Sequence, residues 1–135
     1  MILLENCKSV AIMDDAGTEL SNGSILIDQG TVAWVGKGAA PTQGDIERID
    51  CRGLVAIPGL INTHHHLYQV LTRARAQEQG LFGWLKELYP VWAGVDRAWE
   101  ARAALIGLSE LALSGCTTTV DHHYLFPRLR DGILE

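Results

Sequence analysis

The chain has 135 residues, 47% of them hydrophobic and 20% charged, and 11 Lys and Arg stand against 16 Asp and Glu for a formal net charge of −5. This is the composition of an ordinary globular protein; it offers no basic footprint for nucleic acid, and no apolar run approaches the ~18 residues that suggest a membrane span. Three widely spaced cysteines, Cys7, Cys51 and Cys116, argue against a disulfide framework, and Met1-Ile2-Leu3-Leu4-Glu5 lacks the basic region of a secretory leader, so a reducing cytoplasm is expected.

Residues 1–57 carry strand signals. Ser9-Val10-Ala11-Ile12-Met13, Ser24-Ile25-Leu26-Ile27 and Thr31-Val32-Ala33-Trp34-Val35 are β-branched runs separated by Asp14-Asp15-Ala16-Gly17 and Asp28-Gln29-Gly30, which reads as hairpins with one packed and one wet face. Gly36-Lys37-Gly38-Ala39-Ala40-Pro41-Thr42-Gln43-Gly44 is a loop by composition. Leu54-Val55-Ala56-Ile57 reads as a buried strand broken by Pro58-Gly59, and Leu60-Ile61 starts a second apolar run.

That second run ends in Asn62-Thr63-His64-His65-His66, the most telling segment of the chain. Alternate side chains of a strand share a face, so His64 and His66 point one way and His65 the other. Two imidazoles on one face supply half of a tetrahedral shell for zinc or a first-row neighbour, whereas a bare His-rich triplet is also compatible with a solvated turn. The carboxyl end of a buried parallel strand is where barrel enzymes place their chemistry, which favours the metal pair.

Further on, Gly80 to Leu88 reads as a short helix ended by Tyr89-Pro90. Asp96 reads as the N-cap of a longer helix through Trp99, Leu105, Ile106, Leu108, Leu111 and Leu113, its apolar stripe packed as core and Gly115 as its stop. Cys116-Thr117-Thr118-Thr119-Val120 is the next strand, with Cys116 a small core residue at its start and Asp121, His122, His123 and Tyr124 at its carboxyl end. The chain closes at Gly132-Ile133-Leu134-Glu135, which looks like the opening of another helix.

Pro58-Gly59-Leu60-Ile61-Asn62-Thr63-His64-His65-His66 resembles the first-strand signature of the amidohydrolase superfamily, Pro-Gly-x-x-Asp-x-His-x-His, with Asn62 in place of the usual Asp. That variant is similar to the branch holding triazine hydrolases and 8-oxoguanine deaminases. The resemblance continues through Leu67-Tyr68-Gln69, Leu71-Thr72-Arg73-Ala74, Phe82-Gly83-Trp84-Leu85-Lys86 and Leu88-Tyr89-Pro90-Val91-Trp92. It resumes at Ser114 to Thr119 and Asp121 to Pro127, and as a whole it looks most like the bacterial 8-oxoguanine deaminases.

The resemblance implies an α/β fold: residues 58–135 would be the first two βα units of a (β/α)8 barrel, and residues 1–57 part of a small β-sandwich that precedes it. A full barrel takes about 200 residues or more, so the chain is expected to be an amino-terminal fragment. The same resemblance makes His64 and His66 ligands of one divalent metal ion, zinc or iron, whose other ligands, a His on the fifth strand, a His on the sixth and an Asp on the eighth, have no counterpart here. Gln69 is the candidate for substrate contact, since an amide offers both donor and acceptor to a lactam edge; the alternative is a loop cap.

Trp84 and His123 are weaker substrate candidates. His122 and His123 would touch substrate, orient a ligand or support the adjacent loop, and Trp92 is expected to pack. Arg73 and Arg75 would reach an anionic or carbonyl-rich substrate, but exposed loop arginines commonly do nothing specific, and neither is counted among the site residues. The implied reaction is hydrolytic deamination of a small heterocycle, 8-oxoguanine to urate and ammonia, by a homo-oligomer with no nucleic-acid or membrane partner. Hydrolysis of a triazine or other cyclic amidine, and a catalytically silent fragment, remain the alternatives.

Overall fold

Runs that alternate apolar and polar residues pair into sheets, and here they do so twice. The computed structural model describes residues 1–124, and contacts divide the chain into two units, Met1–Pro58 and Gly59 onward. The readings made for Leu125-Phe126-Pro127 and for a helix opening near Gly132 lie outside the described residues.

The first unit is a sheet of β1 (Ile2–Ala11), β2 (Glu19–Asp28), β3 (Thr31–Lys37), β4 (Glu47–Asp50) and β5 (Val55–Ala56). Its order is β3-β2-β1-β4, with β5 also on β1; β2 runs antiparallel to both β1 and β3, while β4 and β5 run parallel to β1. One edge of β1 is thus shared, Ile2–Glu5 facing β4 and Ser9–Val10 facing β5. Between them Cys51 N–H donates to the Glu5 carbonyl and Lys8 N–H to the Leu54 carbonyl, each at 2.8 Å.

The β2–β3 connection is the short turn expected at Asp28-Gln29-Gly30, and it takes two residues, since β2 runs through Asp28 and β3 starts at Thr31. Gln29 has φ 47° and Gly30 φ 76°, the positive pair whose twist matches that of the flanking strands. Cys7, Val10 and Cys51 form the core, with Leu4, Leu20, Ile25, Val35 and Ala56 against them.

One strand in this unit was not anticipated, and one expectation fails. β4, whose four residues are all exposed, carries no apolar alternation to announce it; it forms because the amides and carbonyls along the first half of β1 need partners. Leu54–Ile57, expected to be buried, yields only the two-residue β5, with Leu54 60%, Val55 57% and Ile57 50% exposed. β5 has β1 on one side alone and no described strand on the other.

The second unit holds β6 (Leu60–His65), a 3-10 helix (Leu67–Thr72), α1 (Leu81–Ala93), α2 (Arg97–Leu113) and β7 (Cys116–Asp121), with β6 and β7 parallel. Asp96 caps α2 as expected, accepting the Trp99 N–H at 2.9 Å. Gly115, at φ 85°, turns the chain out of α2 so that β7 can start.

The helix expected to stop at Tyr89-Pro90 instead runs through Pro90 to Ala93. An interior proline costs about 3 kcal/mol, because it removes one helical bond and crowds the preceding turn. Two residues past Pro90, Trp92 is 1% exposed and packs in a cluster with Tyr68 and Leu88. Burying a ring of ~200 Å² at ~25 cal/mol per Å² contributes about 5 kcal/mol, so packing outweighs the proline.

In α2 the buried face is Glu100, Ala103, Ala104 and Gly107, not the large apolar stripe. Trp99, Leu105, Ile106, Leu108 and Leu113 are exposed among the described residues. Small residues face inward because the 3-10 helix comes close: a Cβ at Gly107 would lie 2.8 Å from Leu67 Cδ2. Cys116 is half-buried rather than a core residue.

Candidate metal centre and cleft

β6 ends at His65, and His66 caps the 3-10 helix, so His64 lies on the last pleat of the strand and His66 just past it, both at the sheet's carboxyl end. His64 Nε2 and His66 Nε2 converge to 3.2 Å. His65 faces the opposite way, with its Cε1 3.5 Å from the position a Cβ at Gly107 would take. The alternation expected for a strand is what places the rings.

Three contacts hold this pair. His66 Nδ1 lies 2.5 Å from the His122 carbonyl, which only accepts, so the proton sits on Nδ1 and the lone pair on Nε2. The His64 ring stacks on His122, centroids 4.4 Å apart, and the His64 N–H donates to Asn62 Oδ1 at 3.0 Å. His122 is itself tied down, its N–H donating to the His65 carbonyl at 2.7 Å and its Nε2 to the Thr63 carbonyl at 3.1 Å. Asn62 therefore serves a backbone amide, a task that an amide oxygen performs as well as a carboxylate.

Two ring nitrogens at this distance require a proton or a cation between them. Bonds of 2.0–2.1 Å at tetrahedral angles separate two nitrogen ligands by roughly 3.3 Å, so the pair fits two positions of a zinc shell. Among the described residues no group of three or more His, Cys, Asp or Glu is placed to hold a metal ion. The pair supplies two donors and no third.

An open cleft of about 510 Å³ lies beside the pair, lined by His64, His66, Gln69, Arg73, Arg75 and Trp84 among others. His66, Gln69 and Trp84 also line an adjoining aromatic hollow of about 280 Å³ with Tyr89, Trp92 and Tyr124. Gln69 Nε2 donates to the Tyr68 hydroxyl at 3.1 Å. Burial pushes the Tyr68 phenol above its ordinary value, so that hydroxyl stays protonated.

Four of the five residues singled out in the sequence, His64, His66, Gln69 and Trp84, thus share one cleft. His123 does not join them. It is 6% exposed, edge-on to the Tyr68 ring at 5.2 Å, with Nδ1 3.5 Å from Asp121 Oδ2. Trp92 packs as expected, its Nε1 donating to Thr72 Oγ1 at 3.0 Å. Arg73 is engaged by α2: its guanidinium clamps the Glu110 carboxylate at 2.8 and 2.5 Å and holds that carboxyl below its usual range.

Sequence reasoning named Tyr68 and Asp121 but gave neither a task. Asp121 Oδ1 accepts the Leu67 N–H at 2.9 Å and so starts the 3-10 turn that carries Gln69. Its place at the end of a strand was the only available signal.

Residues 55–135 match the amidohydrolase family. The chain belongs to that family. It is 47% identical over 120 residues to 8-oxoguanine deaminase of Pseudomonas aeruginosa, an overlap of 87% of this chain and 27% of that protein. It is 38% identical over 128 residues to hydroxydechloroatrazine ethylaminohydrolase of Pseudomonas sp. strain ADP, covering 85% of this chain and 26% of that protein.

Among solved structures, atrazine chlorohydrolase TrzN from Arthrobacter aurescens TC1, complexed with zinc, superposes with a TM-score of 0.88 at 32% identity, covering 99% of this chain and 32% of that one. The chain spans about a quarter of the length of the curated relatives it matches. Its α/β fold is the opening part of an amidohydrolase barrel preceded by strands of a small β-sandwich. No helix among the described residues is long and apolar enough to cross a membrane.

Proposed function

We propose that this chain forms the opening part of a metal-dependent hydrolytic deaminase whose substrate is 8-oxoguanine and whose products are urate and ammonia. The observation that carries the reading is the convergence of His64 and His66 to 3.2 Å above a cleft that also presents Gln69 and Trp84. The 47% identity to an 8-oxoguanine deaminase supports the choice of substrate.

In this reading His64 and His66 hold one divalent ion, zinc or iron, which when bound supplies the Lewis acidity that brings the pKa of water down toward ~7. Gln69 reads the lactam edge, offering its amide N–H and carbonyl to an acceptor and a donor on the ring. Trp84 covers a ring face. The His122 carbonyl keeps His66 in the tautomer whose Nε2 lone pair faces the cleft.

Water adds to the ring carbon bearing the exocyclic amine; the carbon–nitrogen bond then breaks, ammonia leaves and a ring carbonyl remains. No carboxylate lines the cleft among the described residues, so the proton transfers fall to groups outside them. The 135 residues alone are accordingly expected to be inactive, and we read the whole protein as a homo-oligomer in which residues 1–57 belong to the sandwich and residues 58–135 to the barrel.

A second reading, hydrolysis of a substituted triazine, is favoured by the TM-score of 0.88 to the triazine enzyme. The protein at the full length its gene encodes, loaded with zinc, decides between them by product analysis: urate and ammonia from a purine, or the displaced amine or halide from a substituted triazine. The first reading expects 8-oxoguanine to be preferred over guanine and a hydroxytriazine, and Gln69→Ala to raise KM more than it lowers kcat. Preference for the triazine contradicts it.

A further inference from the structure

The loop between the 3-10 helix and α1 contains a feature that the histidine pair does not explain. Ala74 and Ala76 both sit in the left-handed region, at φ 63° and 54°, on either side of Arg75. Such a conformation is unfavourable for residues with a Cβ and persists only where surrounding structure enforces it. The enforcement is visible. Arg73 is clamped to Glu110, Arg75 N–H donates to the Thr72 carbonyl at 3.1 Å, and Ala76 packs against the Tyr68, Leu88 and Trp92 cluster.

Pinned on both sides, the loop sets Arg75 on the wall of the cleft. The two arginines there differ in their commitments. Arg73 spends both terminal nitrogens on Glu110, whereas Arg75 has no ion-pair partner among the described residues. No Asp or Glu lines the cleft among the described residues, so this chain of net charge −5 turns a locally cationic face toward it. A guanidinium is a planar fork of donors with no acceptor, and it matches oxygens that carry partial or full negative charge.

We propose that Arg75 is a specificity-determining residue, donating to a ring carbonyl oxygen of an oxo-substituted heterocycle bound in this cleft and so selecting such rings over carbonyl-free analogues. The inference rests on the deaminase reading of the same cleft. It assigns Arg75 a task separate from Gln69: the amide reads a mixed donor–acceptor edge, and the guanidinium reads only an acceptor.

The test uses zinc-loaded protein at the full length its gene encodes, with Arg75→Gln and Arg75→Lys. Equilibrium binding of 8-oxoguanine and of carbonyl-free melamine is measured by calorimetry, beside ammonia release. Loss of a charged hydrogen bond corresponds to roughly a ten- to hundredfold weaker Kd for 8-oxoguanine in Arg75→Gln, with partial recovery in Arg75→Lys and unchanged thermal unfolding. Melamine binding should not move. If wild type binds and deaminates 8-oxoguanine while Arg75→Gln binds it equally well, or weakens for both ligands alike, Arg75 has no such role and the deaminase reading stands. If wild type neither binds nor deaminates any oxo-heterocycle, both fall together.

Discussion

Replacing Trp92 by Ala should destabilise the second unit's core and, with it, the wall behind Gln69. Trp92 is 1% exposed; its ring meets Tyr68, Trp84 and Tyr89 at centroid distances of 5.3, 5.1 and 5.5 Å, and its Nε1 donates to Thr72 Oγ1 at 3.0 Å. Truncating a buried Trp to Ala costs about 3–5 kcal/mol, of which the lost hydrogen bond accounts for about 1 kcal/mol. Thr72 Oγ1 also donates to the Gln69 carbonyl at 3.2 Å, so it is not left wholly unpartnered, which keeps the expected total near 4 kcal/mol.

Trp92→Phe keeps most of the ring contact and loses the N–H, for an expected cost of about 1–2 kcal/mol. Urea unfolding of the full-length protein, followed by circular dichroism, measures both from the shift of the midpoint. A loss below about 1.5 kcal/mol for Trp92→Ala would refute the argument that this ring's burial carries α1 through Pro90.

Two further predictions concern the frame around the site. Asp96→Ala removes the cap on the Trp99 N–H and should cost about 1 kcal/mol in the same assay, with faster amide exchange confined to the first turn of α2; unchanged exchange there would contradict the cap. Hydrogen bonds from Arg73 depress the Glu110 carboxyl below its ordinary value of 4.5, so the pair's stabilisation is present above that pH and is lost as pH falls through the depressed value. Glu110→Gln should therefore lower Tm at pH 7 and converge on wild type in acid, and a Tm gap that is the same at both pH values would count against it.

What the sequence made legible was local. His64 and His66 share a face because a strand alternates, Asp96 and Gly115 bracket α2 through cap chemistry, and Gln29-Gly30 turns β2 into β3 with two positive φ values. What it hid depends on partners far along the chain. His66 is oriented by a carbonyl 56 residues later and the 3-10 turn by Asp121, 54 residues after Leu67, and neither distance leaves a mark in local pattern.

The same holds for the helices. Pro90 signals a stop by itself, and only the pocket that Trp92 fills overrides it. The large apolar residues of α2 read as the core stripe, yet the close approach of Leu67 at Gly107 admits only small residues on that side. β4 follows from the unpaired edge of β1, not from its own four exposed residues.

The central claim is that His64 and His66 together hold a divalent metal ion, and metal content tests it most directly. Full-length wild type, His64→Ala, His66→Ala and His65→Gln are purified with zinc, dialysed against a weak chelator and assayed by mass spectrometry for zinc per chain. The account predicts that wild type and His65→Gln retain the ion while both alanine variants lose it, because the Nε2 atoms of His64 and His66 converge while the His65 ring lies against Gly107 of α2. Retention of zinc by His64→Ala and His66→Ala at the wild-type level would contradict it.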